Sequence, residues 1–260
     1  MKYIISFTTS PTRIHKFETM VNSLLTQTVK PDLIILNIPK VFKRTSEEYT
    51  IPPGLEDKVF INRIDKDYGP ATKVIPTVQY LKDNNFNPAE TRIVYLDDDV
   101  KYPPAMLEVF KEIPNDNSIY VSSGIDFRCA PGSCDNLTAV RRHNAVVATA
   151  EGYGGVCIRL DTFKDDFMEY INIYIDNMDF YLSDDVVLSN YYISKGAAIK
   201  VINVPGRFSV QDIWTIKGVL DYGFKEDALH KGANGISVNN EQRYKNVLSQ
   251  LGIDGNRYIT

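Results

Sequence analysis

Short, almost continuous apolar runs alternate along the chain with segments whose apolar residues recur at helical spacing. The apolar runs, rich in β-branched residues and therefore predicted to be strands, are residues 3–8, 31–38, 59–64, 92–96, 119–124, 154–160 and 198–202. Helical spacing lies between and after them, at residues 10–25, 71–83, 103–113, 162–171, 183–196 and 238–252. Strands without polar alternation are covered on both faces, as parallel strands usually are. The pattern predicts an α/β fold in a single domain, with a mostly parallel central sheet and helices on both faces.

Two segments interrupt this alternation. Residues 126–150 are predicted to form a long irregular loop, and residues 205–237 are glycine-rich with little periodicity. Long loops in compact domains are usually functional or mobile. We therefore expect both segments to shape a binding site and to close over it.

Composition narrows the class of protein. At 260 residues with 43% apolar residues, the chain can bury the core of one large α/β domain. Its formal net charge of −4 and its scattered Lys and Arg residues argue against nucleic acid as a partner. The segment MKYIISFTTSPTR turns polar too soon for a signal peptide, and no run reaches the ~18 apolar residues of a transmembrane helix. With an odd number of cysteines as well, we expect a cytoplasmic protein, in a host cytoplasm if its source is viral.

Three adjacent carboxylates, Asp97, Asp98 and Asp99, follow the apolar run at residues 92–96. Two like charges ~4 Å apart repel by about 4 kcal/mol near a protein surface, so this adjacency needs a compensating charge. On an extended chain Asp97 and Asp99 fall on one side and Asp98 on the other. Two carboxylates on one side can hold a hard divalent cation such as Mg²⁺ or Mn²⁺. The alternative is a set of solvated acids ahead of a helix N-terminus, where negative charge is mildly favoured.

Polar residues also follow two other predicted strands. Thr8 and Arg13 lie directly after the first strand, and Lys73 follows a Gly-Pro turn near the start of a helix. Parallel sheets bind ligands at the carboxyl ends of their strands, and a helix N-terminus with a nearby lysine suits an anion. These residues are therefore candidates to contact a nucleotide diphosphate. The simpler alternatives are an ordinary surface lysine and a helix capped by Ser10.

The later motifs give weaker signals. Asp184 and Asp185 open a helix, where acids in the first turn are common, but one of them is also a candidate general base for an attacking hydroxyl. The glycines of EGYGGV, residues 151–156, either let a ligand approach the backbone closely or form a bare turn. His230 is either an exposed loop residue or a metal ligand.

Taken in order, TTSPTRI, DYGPATK, YLDDDV, EGYGGV and SDDV resemble motifs of nucleotide-sugar-dependent glycosyltransferases of the GT-A fold, close to the family-2-like branch of bacterial and viral enzymes. The similarity covers residues 3–195 and is most specific at DYGPATK and YLDDDV. It implies a Rossmann-like GT-A fold and a metal-dependent transfer of a sugar from a nucleotide diphosphate to a hydroxyl acceptor.

The resemblance also implies a metal site. YLDDDV corresponds to the DxD motif of this family, which makes Asp99 the main metal ligand and places Asp97 or Asp98 near the ribose and the metal. A C-terminal histidine often completes the metal coordination in this superfamily, and His230 is the candidate for it here. The implied cofactor is a divalent cation, Mn²⁺ or Mg²⁺.

Substrate and catalytic residues follow from the same resemblance. The residues implied to line the nucleotide, diphosphate and donor-sugar sites are Thr8, Arg13, Asp67, Lys73, Gly154 and Gly155. In SDDV the second acid, Asp185, corresponds to the base, with Asp184 as its neighbour. Many relatives have Glu at the first of these two positions.

The resemblance implies a hexosyltransferase-type enzyme that uses a uridine diphosphate sugar, the usual donor for this fold, and a glycan or other hydroxyl-bearing acceptor. We expect transfer with inversion, and a retaining double displacement is the alternative. Residues 1–125 are expected to bind the nucleotide sugar and residues 126–204 the acceptor, and residues 205–260 to form a tail with a lid and a terminal helix. The alternatives are a metal-dependent nucleotidyltransferase, a nucleotide-sugar hydrolase and a non-catalytic nucleotide-sugar-binding protein. A nucleotidyltransferase favours a Gly-, Arg- and Lys-rich phosphate loop after the first strand, whereas TTSPTR has one Arg and no Gly.

Overall fold

The computed structural model describes residues 1–15, 18–130, 133–214 and 240–251. The strands in these ranges are Lys2–Thr8 (β1), Leu33–Pro39 (β2), Val41–Phe42 (β3), Glu47–Glu48 (β4), Phe60–Ile64 (β5), Thr91–Tyr95 (β6), Ile119–Val121 (β7), Gly124–Ala130 (β8), Ser133–Val140 (β9), Val146–Val147 (β10), Thr149–Ala150 (β11), Val156–Arg159 (β12) and Ile199–Val201 (β13). The α-helices are Glu18–Leu25 (α1), Ile75–Asp83 (α2), Met106–Glu112 (α3), Phe167–Tyr174 (α4), Met178–Tyr181 (α5), Asp184–Ser194 (α6), Val210–Trp214 (α7) and Asn240–Gln250 (α8). A 3₁₀ turn, Gly69–Lys73, leads into α2. None of the helices described here has the length and apolar character needed to span a bilayer.

The central sheet has eight strands in the order β10-β13-β7-β12-β6-β1-β2-β5 in the described part of the chain. Strands β5, β2, β1 and β6 run parallel, and β13 runs parallel to β7. Strand β12 runs antiparallel to both of its neighbours, β6 and β7. Its first residue, Val156, is therefore paired with Tyr95 and Val121, at the carboxyl ends of those strands. The segment that precedes β12 thus arrives at the edge of the sheet where β6 ends.

Helices cover both faces of this sheet, which is why its strands are apolar at successive positions. In β1, Ile4 packs into one core cluster with residues of α2, α4 and α6. Tyr3, Ile5 and Phe7 pack into a second cluster with residues of α1 and α3. All four side chains are buried, and each contributes roughly 1.5–3 kcal/mol of hydrophobic free energy. The predicted α/β architecture, with a mostly parallel sheet between helices, is confirmed.

The prediction of an irregular loop over residues 126–150 is wrong. Strands β8 and β9 pair as an antiparallel hairpin, and β11 extends it to a three-stranded sheet. Ile125 and Phe127 alternate with polar residues and are buried in a third apolar cluster, which also contains residues of α6 and α8. This period-two signal is short, and the Pro131-Gly132 pair that follows it is typical of a loop.

Candidate active site

The polar segments predicted from the sequence meet at one edge of the central sheet. Strands β1 and β6 end there, and the turn Gly69–Lys73 is held beside β1 by a hydrogen bond from Ser6 Oγ to the Lys73 carbonyl oxygen, at 2.5 Å. The first turn of α6 reaches the same edge through an ion pair between Asp184 and Lys73. Because β12 is reversed, the loop 151–155 arrives there as well.

The Lys73 side chain lies at the centre of this edge. Its Nζ is 2.7 Å from Asp97 Oδ1 and 2.9 Å from Asp184 Oδ2, and the residue is only 3% exposed. Burial alone would lower the pKa of this ammonium, but the carboxylates of Asp184, Asp97 and Asp185 hold it well above its ordinary value. Lys73 is therefore charged, and it joins the end of β6 to the start of α6.

The three adjacent aspartates have different surroundings. Asp98 is buried and accepts hydrogen bonds from Thr9 Oγ1 at 2.6 Å and from Arg13 Nη1 at 2.9 Å. The side chains of Asp97 and Asp99 are 33% and 27% exposed, against 7% for Asp98. Arg13 Nη1 also lies 3.5 Å from Asp99 Oδ2. The middle acid is thus fixed inside the protein, while the outer two remain open to a ligand.

Asp97 and Asp99 are the two acids of this trio that could hold a divalent cation. Burial, followed by the charges of Asp98 and Asp97, raises the pKa of Asp99 to about 7, against the opposing effect of Arg13. A bound cation would relieve this repulsion by favouring the charged carboxylates. Mg²⁺ is usually held by one or two carboxylates, with phosphate oxygens and waters completing its shell. Among the residues that the structure describes, no three Asp, Glu, His or Cys side chains are placed to hold a metal together. The predicted ligand His230 lies outside the described residues.

Asp185 differs from its neighbour Asp184. Asp184 is buried and paired with Lys73, whereas Asp185 is partly exposed. Asp185 Oδ1 accepts a hydrogen bond from the Gly152 N–H at 3.0 Å, and Oδ2 accepts one from Tyr244 Oη at 3.1 Å. Burial and then the charge of Asp184 raise the pKa of Asp185 well above its ordinary value, with Lys73 opposing. A partly exposed carboxyl group with a raised pKa is suited to accept a proton from a hydroxyl group.

The residues predicted to contact the nucleotide also make contacts within the protein. Thr8 Oγ1 donates a hydrogen bond to the Asn37 carbonyl oxygen at 2.8 Å. Asp67 is buried, and its Oδ1 accepts a hydrogen bond from the Gly69 N–H at 2.7 Å, which shapes the turn leading to Lys73. Arg13 is held at Asp98, as described above. Contacts of these three residues with a nucleotide stay predictions.

The glycines before β12 are needed for packing. A Cβ atom on Gly154 would lie 2.3 Å from Ser122 Oγ, and Gly155 has a φ of +79°. Gly152, the first of the three glycines in EGYGGV, is closer to the charged groups: a Cβ atom there would lie 2.3 Å from Lys73 Nζ and 3.2 Å from Asp185 Oδ1. The predicted contacts of Gly154 and Gly155 with a donor sugar stay predictions.

Two further side chains of the site were missed in the sequence. Glu151 accepts a hydrogen bond from Ser123 Oγ, and burial raises the pKa of Glu151 despite that bond. Its position as the only charged residue of EGYGGV could have marked Glu151 as a candidate site residue. Tyr244 comes from α8, far along the chain, and no motif marks it.

Comparison with solved structures supports the fold. No protein-family model and no curated protein sequence matches the chain. The crystal structure of 4-diphosphocytidyl-2C-methyl-D-erythritol synthase is similar with a TM-score of 0.52 and 11% identity, over 85% of this chain and 99% of that one. At this identity the similarity shows a shared fold and no shared function. Together with the eight-stranded sheet, it agrees with the predicted Rossmann-like fold of the GT-A type.

Two other solved structures are similar at lower scores. S. aureus TarS residues 1–349 gives a TM-score of 0.48 and 12% identity, over 94% of this chain and 68% of that one. The galactosyltransferase LgtC, in complex with donor and acceptor sugar analogues, gives a TM-score of 0.43 and 12% identity, over 78% of this chain and 73% of that one. Scores this low support no inference about this chain.

Proposed function

We propose that the protein is a metal-dependent glycosyltransferase that transfers a sugar, with inversion, from a nucleotide diphosphate to a hydroxyl acceptor. One observation carries the proposal: the partly exposed pair Asp97 and Asp99 lies at the same sheet edge as Asp185, and Lys73 pairs with both Asp97 and Asp184, the residue beside Asp185. The pair suits a cation and a diphosphate, and Asp185 suits the removal of a proton. The resemblance to GT-A glycosyltransferases makes a uridine diphosphate sugar the proposed donor and a glycan one class of acceptor.

Asp97 and Asp99 would hold the cation, Mn²⁺ or Mg²⁺, together with the diphosphate of the donor. When bound, such an ion neutralises negative charge that develops on the leaving diphosphate. Arg13 and Asp67, with Thr8, are proposed to surround the nucleotide, and Gly154 and Gly155 to lie beside the donor sugar.

Asp185 is the proposed general base. Asp184 is already neutralised by Lys73, so Asp185 is the acid of this pair that can take the proton of the acceptor hydroxyl. Its backbone donor, Gly152 N–H, holds one carboxylate oxygen in place. The hydroxyl oxygen then forms a bond to the anomeric carbon as the bond to the diphosphate breaks. Residues 126–204 are proposed to bind the acceptor.

A donor screen followed by a turnover assay tests the proposal. Thermal shift with a panel of nucleotide sugars, with and without Mn²⁺, should show one donor that stabilises the protein only when the metal is present. With that donor and an acceptor panel, wild-type protein should release nucleoside diphosphate and form a glycosylated product of inverted configuration. Asp185→Asn should bind the donor as well as wild type and form no product.

Each alternative gives a different result in these assays. A hydrolase would release free sugar at the same rate without any acceptor, and a nucleotidyltransferase would release pyrophosphate from a nucleoside triphosphate. A binding protein would be stabilised by the donor and turn over nothing. Full turnover by Asp185→Asn would show that the base is another residue.

A further inference from the structure

The terminal helix α8 brings a tyrosine hydroxyl to the proposed base. Tyr244 is 6% exposed, and its ring packs in the third apolar cluster beside residues of β8 and α6. Its Oη lies 3.1 Å from Asp185 Oδ2. The ring is thus anchored by apolar neighbours, and its hydroxyl is directed at one particular carboxylate oxygen.

The two oxygens of Asp185 are held by donors from different parts of the chain. Oδ1 accepts from the Gly152 N–H in the loop before β12, and Oδ2 accepts from Tyr244 in α8. A carboxylate held by one donor can still rotate about its Cβ–Cγ bond. Two donors, one at each oxygen, fix the plane of the carboxylate. A base that must meet an acceptor hydroxyl at hydrogen-bond distance benefits from such a fixed orientation.

We propose that Tyr244 is a positioning residue that orients the Asp185 carboxylate and favours its charged form. The proposal rests on the function proposed above, because it takes Asp185 to be the base. It also makes α8 part of the active site, although 59 residues separate the two side chains in sequence. Tyr244 itself touches neither substrate in this scheme, and it acts through Asp185.

Other charged and titratable groups also face Asp185, and they set the background for its protonation. They come from the helix α6, the turn before α2, the end of β6, the loop before β12 and the core, and they are Asp184, Lys73, Asp97, Glu151, Tyr95 and Tyr192. Of the donors at this carboxylate, the Tyr244 hydroxyl can be removed without changing a charge. A hydrogen bond to the charged form of an acid lowers its pKa, so the loss of this bond should raise the pKa of Asp185.

The test compares Tyr244→Phe with Tyr170→Phe. Tyr170 Oη donates a hydrogen bond to the Val187 carbonyl oxygen at 2.8 Å, so this control removes a hydroxyl that holds the same helix α6 but does not touch Asp185. For Tyr244→Phe we expect kcat to fall about tenfold and the acidic limb of the pH profile to move up by about one pH unit or more. The donor KM should stay unchanged. Tyr170→Phe should keep the wild-type pH profile.

A second measurement does not depend on turnover. In protein labelled with ¹³C at the aspartate carboxyl carbon, the Asp185 resonance is identified by its loss in Asp185→Asn, and its titration is followed by NMR. Its apparent pKa should rise in Tyr244→Phe and not in Tyr170→Phe. If no donor is turned over, the proposed function fails while this titration still tests the role of Tyr244.

A trifluorotyrosine introduced at position 244 keeps the ring in place and makes the hydroxyl a stronger donor. It should lower the apparent pKa of Asp185, in the opposite direction to Tyr244→Phe, and it covers the case in which Tyr244→Phe folds poorly. The same apparent pKa in wild type and in the position-244 variants would show that Tyr244 only packs the core, and the proposal would be wrong.

Discussion

Lys73 Nζ lies 2.9 Å from Asp184 Oδ2, which ties the turn after β5 to the first turn of α6. The same nitrogen lies 2.7 Å from Asp97 Oδ1, so one buried cation joins two carboxylates from distant parts of the chain. Its position at the sheet edge means that the proposed metal site and the proposed base share a single structural support.

Removing the charge of Lys73 should destabilise the protein strongly. Lys73→Met leaves the Asp97 and Asp184 carboxylates without their shared cation, and breaking a buried ion pair in this way costs about 3–5 kcal/mol. Urea denaturation should show that the free energy of unfolding falls by this amount. Adding Asp184→Asn to the same protein should recover part of it.

The matched control is Lys195→Met, which breaks an exposed ion pair with Asp166. Exposed pairs contribute about 0–1 kcal/mol, so the free energy of unfolding should change by no more than that. Equal losses in the two variants would show that the Lys73 contacts do not stabilise the fold.

Asp185→Asn should stabilise the protein at neutral and alkaline pH. The pKa of Asp185 is raised in the folded state by burial and by Asp184, so ionising it there is unfavourable. This cost is absent below the ordinary carboxyl pKa of about 4 and grows as the pH rises toward the raised folded-state pKa. We expect a gain on the order of 1 kcal/mol at pH 8, a Tm increase of about 2–4 °C, that disappears near pH 4.

Thermal unfolding measured from pH 4 to pH 8 checks this result. Asp165→Asn, an exposed acid ahead of α4, serves as the control and should change stability by less than about 0.5 kcal/mol at every pH. A constant gain across the pH range would contradict the electrostatic explanation.

Asp99→Asn and Asp98→Asn should separate ligand binding from folding. Asp99 is partly exposed, so its substitution should abolish the thermal shift produced by Mn²⁺ with uridine diphosphate. It should not lower the stability of the free protein at neutral pH, because the raised pKa of Asp99 makes its charged form unfavourable in the fold. Asp98→Asn weakens the contacts with Thr9 and Arg13, so it should lower the free energy of unfolding by about 1–3 kcal/mol. An Mn²⁺ response retained in Asp99→Asn would place the metal elsewhere.

Gly152→Ala should disturb the site more than the fold elsewhere. The new Cβ atom would lie 2.3 Å from Lys73 Nζ, so the ammonium must leave its position between the two carboxylates. Turnover should fall at least tenfold, with a loss of about 1–3 kcal/mol in the free energy of unfolding. Both quantities are measured on the purified variant.

Gly196→Ala controls for the loss of a glycine. Gly196 follows α6 with a φ of +75°, and its Cβ atom would meet no described atom within 4 Å. Backbone strain should cost about 1 kcal/mol there and leave turnover intact. If the two alanine variants were equally active, the proposed crowding at Lys73 would have no functional effect.

The central strands were predictable because each is an apolar run, and a strand buried on both faces requires such a run. The hairpin of β8 and β9 was not predictable, because only two buried apolar residues, Ile125 and Phe127, alternate with polar residues before a Pro-Gly pair. At the site, the sequence predicted that Asp97 and Asp99 face away from Asp98, and the exposures of their side chains agree. It could not predict that Lys73 forms ion pairs with both Asp97 and Asp184. The contact with Asp184 depends on how α6 packs against the turn before α2.

The reversed direction of β12 has a practical consequence for protein engineering. Its first residue meets the sheet edge that carries the proposed site, so its last residue, Arg159, lies beside Arg92 at the opposite rim. The short connection that follows, Leu160–Thr162, is therefore remote from the proposed site. Substitutions at that rim should therefore leave the proposed site unobstructed, whereas changes in the loop before β12 should alter it directly.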